Sequence, residues 1–270
     1  MSCFRYRACI PARLLCLVVS VACTVGTCAG QTSNRDVISK ARSSYYSLKR
    51  LGLIEFRANI RPNWEVILKG GTTSPEAMKL LNGLHFSILF GESGNVVVNH
   101  QADFPPQNEV VAKGYKDIFE GVDNAIYGFF ETWNLFMFGS PFPEPDSVYE
   151  LQDLGSSYLL RYAEPKNKVA TTFGKDFDIK EIQVSGESFS GAIKPQFRKT
   201  DHGQIIVAYQ GSYFNAAGNL TSDLQVNIQY NQVNGLEVPL KVNVQGTYNG
   251  GPVNMEIVFS DYKISKTGTK

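Results

Sequence analysis

The stretch DLQVNIQYNQVNGLEVPLKVNVQGTYNGGPVNMEIVFSDYKI, residues 223–264, alternates apolar and polar side chains almost without interruption. Leu224, Val226, Ile228 and Tyr230 share one parity, as do Val238, Leu240, Val242 and Val244, while Gln225, Asn227, Gln229, Lys241, Asn243 and Gln245 take the other. A period of two marks strands with one wet and one apolar face. Asn234-Gly235 and Asn249-Gly250-Gly251 supply the tight turns, so the segment is predicted to be an antiparallel meander. Leu224, Val226, Ile228, Leu240, Val242 and Val244 should all face inward, and something must cover them.

The cover is found upstream. Val111, Tyr115, Ile118, Val122, Ile126, Phe129, Trp133 and Phe136 recur in steps of three and four, which defines one face of a long helix. Past Ile126 the division into faces breaks down, because Tyr127, Phe130, Leu135, Met137 and Phe138 add apolar surface all round, until GSPFPEP ends the helix. Gly114, Gly121 and Gly128 leave gaps on one side where another backbone could approach. Such a helix is either ordinary core filling a curved sheet or a mobile lid over an apolar cavity. Ile126, Phe129, Phe130, Trp133, Phe136, Met137 and Phe138 are the candidate lid residues, and Phe56, Val226, Ile228, Leu240 and Val242 the candidate cavity wall.

The N-terminal part adds helices and strands. NRDVISKARSSYYSLKRLG, residues 34–52, places Val37, Ile38, Ala41, Tyr45 and Leu48 at helical spacing, with Ser33 and Asp36 as a start signal and Gly52 as a stop. LIEFRANI alternates as a half-buried strand through Ile54, Phe56, Ala58 and Ile60. SPEAMKLLNG has the cap and first turn of a short helix, and LHFSILF and NVVVNH flank GESG as a hairpin. The fold class expected is α+β: a strongly curved antiparallel sheet forming an incomplete barrel, with an N-terminal helix and a central helical lid or plug.

Residues 1–30 look like a secretory signal peptide: Arg5, Arg7 and Arg13, the apolar run LLCLVVSVACTV, then small residues before Gln31. The apolar run is about half the roughly 20 residues that a spanning helix needs. All five cysteines lie in this leader, so a chain cleaved after Ala29 or Gly30 carries no disulfide. The residues before Cys23 and Cys28 fit a lipid-anchoring pattern poorly, and a freely diffusing product is expected. Removing three arginines from 26 basic residues leaves 23 against 25 acidic ones, with no dense basic run. That argues against nucleic acid as a partner. No Gly-, Ser- or Pro-rich linker divides residues 31–270, which read as a single domain and a monomer.

Few residues stand in a pattern that chemistry needs. His85, His100 and His202 have no metal-ligand spacing, and GESFSG, residues 186–191, does not fit the G-x-S-x-G elbow. Asp176 and Asp178 alternate with Phe177 and Ile179, which places both acids on the wet face of a strand. Asn219-Leu220-Thr221 is a glycosylation sequon with meaning only in a eukaryotic secretory pathway. No catalytic residue, metal or cofactor is nominated.

A leader, an N-terminal helix ending in Gly before an alternating strand, central helices and the C-terminal NGLEVPLKVNVQGTYNGGPVNMEIVFSDYKI, with Gly235-Leu236 and Pro239 opening the strand, resemble the bacterial lipoprotein-carrier superfamily of LolA/LolB-like fold. The likeness spans most of residues 34–264. It implies an incomplete barrel whose mouth is closed by helices around a cavity that accepts acyl chains; the family's lid-latching arginine falls on Arg57 or Arg61. The function expected is a non-enzymatic carrier or binding protein for a lipid or acylated protein, exported to the bacterial periplasm or beyond, with peripheral membrane contact allowed. An envelope sensor on the same scaffold, or an enzyme with unrecognised residues, is the alternative.

Overall fold

In the computed structural model, residues 33–69 and 73–267 are described. The leader-like segment with its cysteines lies outside them. The chain runs α1 (Asn34–Ser43), β1 (Leu53–Pro62), α2 (Trp64–Ile67), α3 (Pro75–Asn82), β2 (Leu84–Phe90), β3 (Val96–Ala102) and α4 (Glu109–Met137). Nine strands follow: β4 (Tyr149–Asp153), β5 (Ser157–Ala163), β6 (Asn167–Gly174), β7 (Ile179–Gly186), β8 (Phe189–Thr200), β9 (Gly203–Asn215), β10 (Leu220–Val233), β11 (Leu236–Tyr248) and β12 (Gly251–Lys266).

All twelve strands form one antiparallel sheet in the order β3-β2-β1-β12-β11-β10-β9-β8-β7-β6-β5-β4. It is not closed: β3 and β4 are its edges. Every neighbouring pair except β1 and β12 is consecutive along the chain, and that one non-local pairing brings the two ends of the described chain together. Phe56 stands opposite Ile264 and Ile60 opposite Phe259, so the two strands add to one apolar face. The helix α4 lies against that face, with Val122, Ile126, Phe129, Phe130, Trp133, Phe136 and Met137 in the same buried cluster as Phe56, Phe90, Val226, Ile228, Val242 and Phe259.

Four expectations need correction. The helix predicted over residues 34–52 ends at Ser43, because the backbone beyond it pairs with the sheet: Gln204 donates to the Ser44 carbonyl at 2.8 Å and Tyr46 donates to the Gln204 carbonyl at 2.9 Å. Tyr45 and Leu48 are buried, but from a loop. Asp176 and Asp178 belong to the turn between β6 and β7, where Phe177 has φ 67° and Gly174 donates to the Asp178 carbonyl. Gly114, Gly121 and Gly128 approach no other backbone among the described residues; a Cβ at any of them would meet nothing within 4 Å. Leu240 is 38% exposed and so cannot line a cavity beneath the sheet. Gln229 pairs with Lys241 and Tyr230 with Pro239, which leaves Leu240 as the extra residue of a bulge.

Candidate functional site

The candidate site is the contact between α4 and the sheet. The helix starts where the Asn108 side chain accepts from the Val111 amide at 3.0 Å. It stops where Gly139 and Phe138 donate to the Asn134 carbonyl and Ser140-Pro141 follows. Between these ends the helix divides sharply. Ile126, Trp133 and Met137 are fully buried and Phe129, Phe130 and Phe136 nearly so, whereas Tyr127 is 42% exposed and the three glycines look onto open space.

The buried side is an aromatic lattice. Phe56 stacks on Phe90 with centroids 5.0 Å apart, and Trp133 stands edge-on to both, at 6.3 Å and 5.5 Å. Phe130 meets Phe90, Phe259 and Trp133 at 5.9, 6.0 and 5.4 Å. Phe136 reaches Phe197 at 5.6 Å, and Phe138 closes on Phe90 at 5.3 Å. Edge-to-face geometry of this kind adds about 0.5–1.5 kcal/mol per pair beyond area burial.

Few polar groups interrupt it. The Trp133 indole donates to the Tyr230 hydroxyl at 3.0 Å, and that hydroxyl donates to the Ile206 carbonyl at 2.7 Å. Burial pushes the Tyr230 phenol well above its ordinary range, so it stays a neutral donor. Burial likewise raises the Tyr209 and Tyr213 phenols, partly offset by a hydrogen bond with Thr132 of the helix. Nearer the helix start, His100 of β3 stacks on Phe119 at 4.0 Å and faces Asp123 at 3.6 Å. Desolvation raises the Asp123 carboxyl, with His100 acting in the opposite direction.

The structure therefore brings together Ile126, Phe129, Phe130, Trp133, Phe136, Met137, Phe138, Phe56, Val226, Ile228 and Val242, and leaves out Leu240. Sequence reasoning missed Phe90, Phe259, Phe197 and the Tyr230 hydroxyl. The alternation of LHFSILF could have nominated Phe90. Tyr230 reads in the sequence as an apolar ring, and nothing local announces its hydroxyl partner across the sheet.

Arg57 and Arg61 do not latch the helix. Both are exposed, on the face of β1 opposite to Phe56 and Ile60. Clefts open beside the lattice: one of about 830 Å³ lies between the α1–β1 connection and the segment after α4, bounded by Arg42, Arg50, Asn134 and Phe142. Its arginines are engaged, Arg42 with the Phe142 carbonyl at 2.5 Å and with Glu144, and Arg50 with the Tyr45 carbonyl. Among the described residues, no group of three or more His, Cys, Asp or Glu could hold a metal ion, and no helix is long and apolar enough to cross a membrane. Comparison with family models, curated proteins and solved structures yields no match.

Proposed function

We propose that this chain is an exported, non-enzymatic binding or carrier protein for a lipid or an acylated protein, built as an incomplete barrel in which the aromatic end of α4 occupies the space an acyl chain takes when bound. One observation carries the reading: among the described residues, the helix is packed on one side only. Its back meets nothing at Gly114, Gly121 and Gly128. Its aromatic end is tied by few polar contacts, chiefly the Leu48 amide donating to the Met137 carbonyl at 2.8 Å and the Trp133 indole donating to Tyr230, so outward movement breaks those hydrogen bonds and otherwise mainly apolar packing. What holds it is mainly apolar contact, which an acyl chain can replace in kind. Burial of acyl chain contributes about 0.8 kcal/mol per methylene, so ten methylenes offer roughly 8 kcal/mol before ordering costs. The leader-like N-terminal residues support a bacterial periplasm, or the outside of the cell, as the compartment of this activity.

The test uses the two tryptophans, Trp64 and Trp133. In a Trp64→Phe variant the emission comes from Trp133 alone. Titration with a long-chain fatty acid should change that emission saturably, and Phe130→Ala with Met137→Ala should weaken binding more than it lowers the melting temperature. An emission that stays blue and unresponsive, with the double substitution costing only stability, makes α4 plain core and ends the carrier reading.

A further inference from the structure

Three hairpins, β7–β8, β9–β10 and β11–β12, turn at the same rim of the sheet. The register fixes this: Ser190 lies opposite both Ser185 and Phe214, Leu220 opposite Phe214, and Ser222 opposite Tyr248. Each end carries an exposed apolar side chain, with Phe189 at 39%, Leu220 at 53% and Tyr248 at 54%. The same ends are nearly free of charge. Residues 212–222 and 242–255 contain no Asp, Glu, Lys or Arg, and Glu187 is the single formal charge on the third. The β5–β6 end beside them, by contrast, carries Glu164, Lys166 and Lys168, and the opposite rim carries Lys49, Arg50, Lys199, Asp201 and Lys266, so the nearly uncharged part is confined to the three neighbouring ends.

The exposed residues do not share one face. Tyr248 pairs with Ser222, which pairs with Tyr213, a row on the side that bears the helix. A register shift between Leu220 and Ser222 turns Leu220 to the other side, beside Phe214. Exposed apolar side chains thus lie on both sides of the rim, among uncharged Ser, Asn and Gly. A rigid protein groove would cover one side. A fluid interface covers both, and it favours Tyr and Phe at the boundary of headgroups and acyl chains, with Glu187 left among the hydrated headgroups.

We infer that this rim seats the protein on the surface of a lipid bilayer, with Phe189, Leu220 and Tyr248 entering the headgroup–acyl boundary. This goes beyond the carrier reading and does not need it, since a protein can dwell at a bilayer with α4 fixed in place.

The experiment is co-sedimentation of residues 31–270 with phosphatidylcholine vesicles. The protein should partition equally in about 0.05 M and about 0.5 M NaCl, because no ion pairing drives it. Phe189→Ser, Leu220→Ser and Tyr248→Ser together should lower partitioning by roughly tenfold or more, given the apolar area removed. Val97→Ser, Val110→Ser and Val148→Ser together remove exposed apolar side chains elsewhere and should leave it unchanged. Melting curves verify that both triple variants fold. A Tyr248→Trp substitution in a Trp64→Phe, Trp133→Phe background gives a second readout, a blue shift on vesicle addition.

No partitioning by the parent, equal loss in both triple variants, binding that disappears in salt, or an emission from the Tyr248→Trp variant that vesicles do not move would each overturn the inference. So would capture of an envelope protein that needs the rim while vesicles are ignored. Fatty-acid titration of the rim variant through Trp133 separates the two proposals, since the helix site should still respond.

Discussion

Leu240 and Val242 stand two positions apart in one alternating run, yet Val242 is fully buried and Leu240 is open to solvent. Period two predicts the same side for both, and the bulge at Leu240 breaks the rule. The warning was present in the sequence: Pro239 has no amide to give to a ladder and is tolerated in a strand mainly at edges and bulges. Val242→Asp should therefore cost about 3 kcal/mol or more by chemical denaturation, as an unpaired buried charge does. Leu240→Asp should change stability by about 0.5 kcal/mol or less. Similar losses at both positions would mean that the bulge is misplaced. Asp123 supports a second prediction at this scale. Its carboxyl titrates above the usual range in the folded state, so the folded protein holds that proton more tightly than the unfolded chain. The resulting contribution is fully present at low pH and is lost as pH rises through the raised value. Asp123→Asn should accordingly melt higher than the parent at neutral pH, with the gap closing as pH falls through that titration. Parallel melting curves at all pH values would contradict it.

At the level of elements, α4 was legible from its apolar spacing, from Val111 to Phe136, and from the all-round apolar surface past Ile126 that demanded burial. Its partners were not, since Phe56, Phe90 and Phe259 come from strands that meet only in the folded sheet. The same limit explains α1, where Tyr45 and Leu48 sit at helical spacing but their backbone is recruited by β9. Gly203 makes that junction. It has φ +112°, and a Cβ there would lie 2.7 Å from the Tyr45 carbonyl carbon and 2.8 Å from the Ser44 oxygen. Gly203→Ala should cost about 2 kcal/mol or more, from strain and from the displaced bridge. Amide exchange should then rise at Tyr46 and Gln204 ahead of the rest of the sheet. The Trp133–Tyr230–Ile206 relay gives a companion case. Tyr230→Phe leaves the indole N–H and the Ile206 carbonyl without their partner, at about 1–3 kcal/mol for each group left unpaired. A melting temperature that does not move would mean that water reaches the lattice.

For the whole molecule, the C-terminal meander and the hairpin of β2 and β3 could be read directly, whereas β4 to β9 could not, because SYLLRYA has apolar side chains on both parities at Leu159 and Leu160, and NKVATTFG has few large apolar residues to mark a face. The pairing of β1 with β12 has no local signal at all. That pairing sets which strands end the sheet, and the two edges it leaves are unequal. β4 is five residues long and carries Glu150 and Asp153, paired with Arg161 and Lys175. β3 is Val-Val-Val-Asn-His-Gln-Ala, with no Asp, Glu, Lys, Arg or Pro, and Val97 is half exposed. Charges, prolines and short length are the usual protections of a free edge against pairing with another chain. β4 has two of them and β3 has none, so association on heating should proceed through β3. Val97→Lys places a charge on that edge at a stability change of about 0.5 kcal/mol or less, since the side chain is not in the core. Light scattering through a thermal ramp should then show aggregation delayed to higher temperature in Val97→Lys, with the unfolding transition itself unmoved. Glu150→Ala, which strips a charge from the other edge, should bring aggregation forward. If Val97→Lys aggregates at the same temperature as the parent, the growing contact lies elsewhere, and the three hairpin ends with Phe189, Leu220 and Tyr248 become the surface to substitute next.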